Sequence, residues 1–126
     1  MYNGRTGMPK NILIADDDPG ILEVVKIILE EDGEYRVVTV SDGSKVESVI
    51  KQDRPDLILL DIWMPGMDGR ELTKRLKSDP KVKNTPILLI SAYDDIEGKA
   101  KEAGADGFIE KPFDIGALKG KVSAHI

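Results

Sequence analysis

Cysteine is absent from this chain of 126 residues, and histidine and tryptophan occur once each. Without a thiol there is no disulfide framework, no thiolate metal site and no thiol nucleophile. Long apolar runs are missing too: none exceeds four residues. A bilayer span needs roughly 20, so neither a membrane segment nor a signal peptide is expected. Basic charge is in deficit, with 18 Lys and Arg against 23 Asp and Glu. A net charge of −5 speaks against direct binding to nucleic acid or to an anionic membrane, both of which need a basic face. Neither GxxxxGK[ST] nor GxGxxG occurs, and Asp16–Gly20 breaks the spacing of a calcium loop. What remains is a soluble, cytoplasmic single domain that buries about two-thirds of its unfolded surface without staples.

Residues 1–7 are polar and aperiodic and read as a flexible tail, with the domain at 8–126. Four continuous apolar runs follow: Ile12–Ala15, Val37–Val40, Leu57–Leu60 and Ile87–Ile90. Their lengths suit strands buried on both faces of a sheet, and Gly107–Ile109 fits a weaker edge strand. Helical spacing joins Ile21, Val25 and Ile28, then Val46 and Ile50, Leu72 and Leu76, Ile96, Ala100 and Ala103, and Leu118 and Val122. Asp18-Pro19, Asp68 with Glu71, and Asp114 are candidate N-caps; Gly33 and Gly104 are candidate C-caps. Strand and helix thus alternate five times, which predicts an α/β fold, a parallel sheet covered by helices on both faces.

Ligands of such sheets bind beyond the carboxyl ends of the strands. There the first run leads into Asp16-Asp17-Asp18, the third into Asp61, the fourth into Ser91, and the fifth into Lys111-Pro112. Asp16, Asp17 and Asp61 against Lys111 leave −2 in a small concavity. Packed carboxylates raise one another's pKa unless a cation compensates, and few oxygen ligands suit Mg²⁺, with Mn²⁺ as a substitute. Zinc does not fit a set without His or Cys. Asp61 is then an oxygen nucleophile, with Lys111 and Ser91 placed to hold phosphoryl oxygens. Taken singly, each of these residues is an ordinary surface or capping group; only their joint placement carries the reading.

The set ILIADDDP, LILLDIWMPGMDG, PILLISAY and GADGFIEKPF resembles the receiver domains of two-component response regulators, across residues 8–126. The resemblance implies a three-layer (βα)5 flavodoxin-like sandwich of strand order 2-1-3-4-5. Asp61 would be the phosphoacceptor. Asp17 would bind Mg²⁺ directly and Asp16 mainly through water, with the Trp63 carbonyl as a further ligand. Ser91 would be the switch hydroxyl, Phe108 the switch aromatic, and Lys111 the family's lysine ahead of a cis bond to Pro112. The donor would be a phosphohistidine on a sensor histidine kinase or a histidine phosphotransfer protein. Output would run through the face of the fourth helix, fifth strand and fifth helix, to a downstream protein, to an output domain outside this sequence, or through a homodimer formed on phosphorylation.

Trp63 and Tyr93 occupy positions that vary within that family and flank the path of attacking water. Bulky rings there are expected to slow hydrolysis, so Trp63→Asn should shorten the phosphorylated lifetime. Gly98 and a single large anchor, Ile96, predict a loosely held fourth helix. Two other readings stand beside the switch. One is a binding-only pseudo-receiver. The other is an aspartyl-nucleophile phosphohydrolase of the haloacid-dehalogenase type, which needs a second Asp where Trp63 stands. His125, near the end of the chain, has no partner in sequence and receives no role.

Overall fold

A computed structural model describes residues 9–92 and 95–126. The tail expected at 1–7, Met8 and Tyr93 lie outside the described residues. In chain order the elements are β1 (Lys10–Ala15), α1 (Pro19–Glu30), β2 (Tyr35–Val40), a 3-10 turn (Gly43–Lys45), α2 (Val46–Asp53) and β3 (Leu57–Asp61). A short ribbon follows, β4 (Trp63–Met64) and β5 (Met67–Asp68), then α3 (Gly69–Ser78), β6 (Ile87–Ser91), α4 (Ile96–Ala103), β7 (Gly107–Glu110) and α5 (Ile115–His125). The main sheet is parallel with order β2-β1-β3-β6-β7. Counting only its own strands, this is the expected 2-1-3-4-5. Among the described residues no helix is long and apolar enough to cross a membrane.

The continuous apolar runs have a simple cause. Side chains alternate across a strand, and here both faces are covered. Leu13, Ile58, Leu60, Ile87 and Leu89 pack with Ile50, Leu72, Leu76 and Ile96 of α2, α3 and α4. Their neighbours Ile12, Ile14, Leu57, Leu59 and Ile90 pack with Leu22 and Val25 of α1 and Leu118 and Val122 of α5. Every residue of β3 and β6 is buried, whereas β2 and β7, at the edges, are partly exposed.

The caps form largely as read. Carboxylate oxygens of Asp18, Asp68 and Asp114 accept from the backbone N–H of Gly20, Arg70 and Ala117 at 2.9, 2.9 and 2.6 Å. Glu71 pairs with Lys74 at 3.8 Å, so Asp68 caps α3 from one side only. Gly104 closes α4 with φ 81°, a conformation open to glycine at little cost. Gly98 is corrected by the structure. It lies in the first turn of α4, not its interior, and a Cβ there would sit 2.5 Å from Asp95 Oδ1, the oxygen that caps its own N–H. Its absent side chain makes room for the cap.

Two elements had no signal in the apolar pattern: the 3-10 turn, capped by Asp42, and the β4–β5 ribbon, which turns at Gly66 with φ 81°. They interlock. A Cβ on Gly43 would meet the Pro65 carbonyl at 2.5 Å. Together they fix the loop that leaves Asp61.

Candidate functional site

Parallel strands bring their carboxyl ends to one rim. β1 ends beside Asp16, whose N–H donates to Val40 O at 3.2 Å and whose Oδ1 accepts from Asp18 N at 2.9 Å. Asp61 is the last residue of β3 and lies opposite Ile90, one residue before Ser91. Ser91, buried, accepts the Lys111 N–H on its carbonyl at 2.9 Å, and the Lys111-Pro112 bond is cis. Crossovers of independent length therefore deliver Asp16, Asp17, Asp61, Ser91 and Lys111 to one place.

The distances are short. One oxygen from each of Asp16, Asp17 and Asp61 lies within 4.8 Å of the others. Lys111 Nζ reaches Asp16 Oδ2 at 2.7 Å and Asp61 Oδ2 at 3.6 Å. Asp16 is fully buried, and its Oδ2 takes no hydrogen bond of good geometry from the described residues, so the Lys111 contact is an ion pair. Burial pushes the Asp61 carboxyl up to about 6, helped by the negative charges of Asp16 and Asp17 and opposed by Lys111 and the backbone N–H of Trp63. Burial alone would lower the Lys111 pKa, but the Asp16 and Asp61 carboxylates outweigh it and the ammonium is raised.

A hard divalent cation fits this set. Three carboxylates converge within reach of one another, and the single ammonium of Lys111 leaves the site negative. His and Cys, the ligands that zinc favours, do not contribute to the cluster. Beside the carboxylates, Ser91, Ile96, Glu110 and Lys111 line a shallow hollow. A larger hollow between Arg54, Pro55, Asp79 and Val82 lies at the opposite ends of β3 and β6, away from any of this chemistry.

Phe108 is half-buried on β7, opposite Leu89, with Lys121 Nζ 4.6 Å from its ring centroid. Trp63 is 43% exposed, with the Arg70 guanidinium 4.6 Å from its ring centroid. Sequence reasoning missed Gly69. A Cβ there would sit 2.6 Å from the Asp61 carbonyl, and the Gly69 N–H donates to Ile62 O at 2.7 Å. Its place at the end of LILLDIWMPGMDG was visible, but the contact was not.

Residues 12–123 match the response regulator receiver domain family. The DNA-binding dual master transcriptional regulator RpaA of Synechocystis sp. is 40% identical over 119 residues, covering 93% of this chain and 48% of RpaA. Response regulator GtcR of Aneurinibacillus migulanus is 41% identical over 121 residues, covering 94% and 48%. The chain spans about half the length of these curated relatives. The chemotaxis response regulator CheY4 of Vibrio cholerae superposes with a TM-score of 0.86 at 30% identity, covering 95% of this chain and 100% of that one. A signal receiver domain of a histidine kinase from Syntrophus aciditrophicus gives 0.82 at 37% identity, covering 91% and 88%. The matched span runs from β1 into α5 and takes in every charged group of the rim, so the chain belongs to the response regulator receiver domain family of two-component signalling.

Proposed function

We propose that this domain is a phosphorylation-driven switch with Asp61 as phosphoacceptor. The observation that carries the reading is the convergence of Asp16, Asp17 and Asp61 within 4.8 Å, with Lys111 reaching two of them. Asp16, Asp17, Asp61 and the Trp63 carbonyl would hold Mg²⁺ or Mn²⁺. The ion, when bound, supplies charge neutralisation to the transferring phosphoryl group.

The chain's own residues do the rest. An Asp61 oxygen attacks phosphorus while the phosphorus–nitrogen bond of a donor phosphohistidine breaks, and the released imidazole keeps the electron pair. Lys111 lies within reach of Asp61 and takes one phosphoryl oxygen. The Ser91 hydroxyl takes another, and turning toward it gives Phe108 room to move on β7. Water later breaks the acyl phosphate and restores Asp61. The domain thus catalyses only its own phosphorylation and dephosphorylation.

The donor would be a histidine kinase or a phosphotransfer protein, and α1, which leaves the rim, presents exposed Val24 and Ile27 for such a contact. Output would pass through the α4–β7–α5 face to a protein target, to an output domain, or to a second receiver. Residues 8–126 form the receiver unit in this reading, which places it in the cytoplasm.

Trp63, the only tryptophan, reports on the site. Mg²⁺ titration followed by acetyl phosphate or beryllofluoride should change its fluorescence, and Asp61→Asn should abolish the second response. No Mg²⁺ response and no acid-labile phosphate on Asp61 would leave a binding-only domain as the better reading.

A further inference from the structure

At the end of the sheet where the strands begin, away from the Asp61 rim, two patches of opposite charge lie on opposite faces. On one face the end of α2 and the loop after α3 enclose a hollow of about 310 Å³. Its floor of Ile50, Pro55 and Val82 is buried, and Lys51, Arg54 and Lys81 stand exposed around it. The carboxylate of the lining, Asp79, accepts from the Lys81 N–H at 2.9 Å. Lys51 pairs with Glu47 at 3.4 Å, whereas Arg54 and Lys81 make no ion pair among the described residues. On the other face the turn between α1 and β2 presents Glu31 and Asp32, both exposed and likewise without an ion pair among the described residues, with Glu34 beside them.

Each patch breaks a local rule. Arg54 follows α2 with φ 48° and ψ 65°, the left-handed conformation that glycine adopts at little cost and arginine does not. Glu31 and Asp32 follow the last turn of α1, where the helix dipole favours cations, and that turn contains no basic residue. A side chain kept where its own backbone disfavours it is explained by a partner outside the element, and each patch carries the charge that the other lacks.

We propose that the two patches form one interface, in which the Glu31–Asp32 turn of one copy seats on the Arg54–Lys81 hollow of a second copy. Both lie at the same end, because α1 leads into the start of β2 and α2 into the start of β3 in a parallel sheet. A two-fold axis across that end, midway between the patches, exchanges them, so both contacts form at once and the assembly closes as a dimer. The floor of the hollow is already covered within the chain, so charge selects the partner and association is sensitive to salt. Because the surface is remote from Asp61, pairing requires no phosphorylation and is separate from output through α4, β7 and α5.

Sedimentation equilibrium of the full chain, without phosphodonor, tests this. The wild type should dimerise in ~0.02 M NaCl and dissociate in ~0.5 M. Arg54→Gly removes a cation from both contacts and relieves the left-handed residue, so it should weaken the dimer about three- to tenfold while melting no lower than wild type. The decisive pair is Arg54→Glu with Lys81→Glu in one chain, and Glu31→Lys with Asp32→Lys in another. With folding of each checked by its thermal melt, both should be monomeric alone and dimerise when mixed, because mixing restores both contacts. A wild type that stays monomeric in low salt, unaltered dimerisation in Arg54→Gly, or a mixture of folded variants that stays monomeric would each overturn the proposal. So would a dimer that forms only with Mg²⁺ and beryllofluoride, which would put the contact on the output face, and growth beyond two copies, which would make it head-to-tail. A monomeric wild type that binds polyglutamate, with binding lost in Arg54→Gly, would give the hollow to an acidic partner of another kind and overturn the self-pairing.

Discussion

Lys111 Nζ lies 2.7 Å from Asp16 Oδ2, and that carboxylate is fully buried. The ammonium is the charge that makes an otherwise costly burial tolerable. Replacing it with Ala leaves an uncompensated anion, and breaking a buried pair from one side is strongly unfavourable. Lys111→Ala is expected to cost about 2–4 kcal/mol in EDTA, scaled down for the partial exposure of Lys111. Mg²⁺ should recover part of the loss, because it supplies replacement charge to Asp16. Urea denaturation with and without Mg²⁺ checks both statements.

Asp61 makes metal-free stability depend on pH. Its folded pKa of about 6 lies above the ordinary 3.8, so the folded state holds its proton more tightly than the unfolded chain. The stability from this group is fully present below about pH 4 and is lost as pH rises through about 6. Asp61→Asn should therefore stabilise the metal-free domain at pH 8, by roughly 1–3 kcal/mol, and have little effect at pH 4. Thermal melts in EDTA at the two pH values measure the difference. Mg²⁺ should reverse the order of the two proteins at pH 8.

Two glycines should respond in opposite directions to alanine. At Gly69 the new methyl would meet the Asp61 carbonyl at 2.6 Å and the Ile62 Cα at 3.0 Å, both backbone atoms that cannot swing aside. A cost of about 1–3 kcal/mol and a weaker Mg²⁺ response are expected. Gly120, inside α5, has nothing within 4 Å of its missing Cβ. Gly120→Ala should stabilise by about 0.5–1 kcal/mol. Chemical denaturation of both variants distinguishes the two outcomes.

The outer edge of the sheet is closed by one ion pair. Glu30 Oε2 accepts from Val37 N at 2.9 Å and Lys26 Nζ donates to Val37 O at 2.9 Å, while Lys26 and Glu30 contact each other at 3.0 Å. The pair covers backbone groups of edge strand β2 that would otherwise invite another strand. The Val37 N–H holds the Glu30 carboxyl below its usual 4.5, so this support is present above about pH 4.5 and fades as the carboxylate is protonated. Glu30→Ala is expected to cost about 0.5–1.5 kcal/mol at pH 7 and to raise aggregation during refolding. Unfolding midpoints and light scattering provide the check.

α4 buries only Ile96, Ala100 and Ala103, whereas α1 buries Leu22, Val25 and Leu29 over a longer helix. Less apolar area is lost when α4 opens, so its amides should exchange faster than those of α1. Native-state hydrogen exchange resolved by residue decides this. Equal protection would remove the basis for treating α4 as a mobile part of the switch.

Much of this protein is local and therefore readable from the chain alone. Apolar runs such as Leu57–Leu60 and Ile87–Ile90 specify buried strands because a covered parallel sheet leaves no polar face to alternate with. Asp18, Asp68 and Asp114 specify helix starts because a carboxylate reaches its own neighbouring N–H groups. The aspartates at the ends of β1 and β3 follow from the same pattern. Tertiary structure decided what those groups do to each other. Asp16 and Asp17 are adjacent in sequence, yet one is fully buried against Lys111 and the other is exposed, because the strand's last turn of pleat sends them to different environments. The ribbon that stacks Arg70 on Trp63, the fit of Gly69 against Asp61 and the Lys26–Glu30 clasp on β2 likewise depend on which segments pack side by side. Hydrophobic periodicity encodes which face of an element is covered; it does not encode which polar groups meet at the rim.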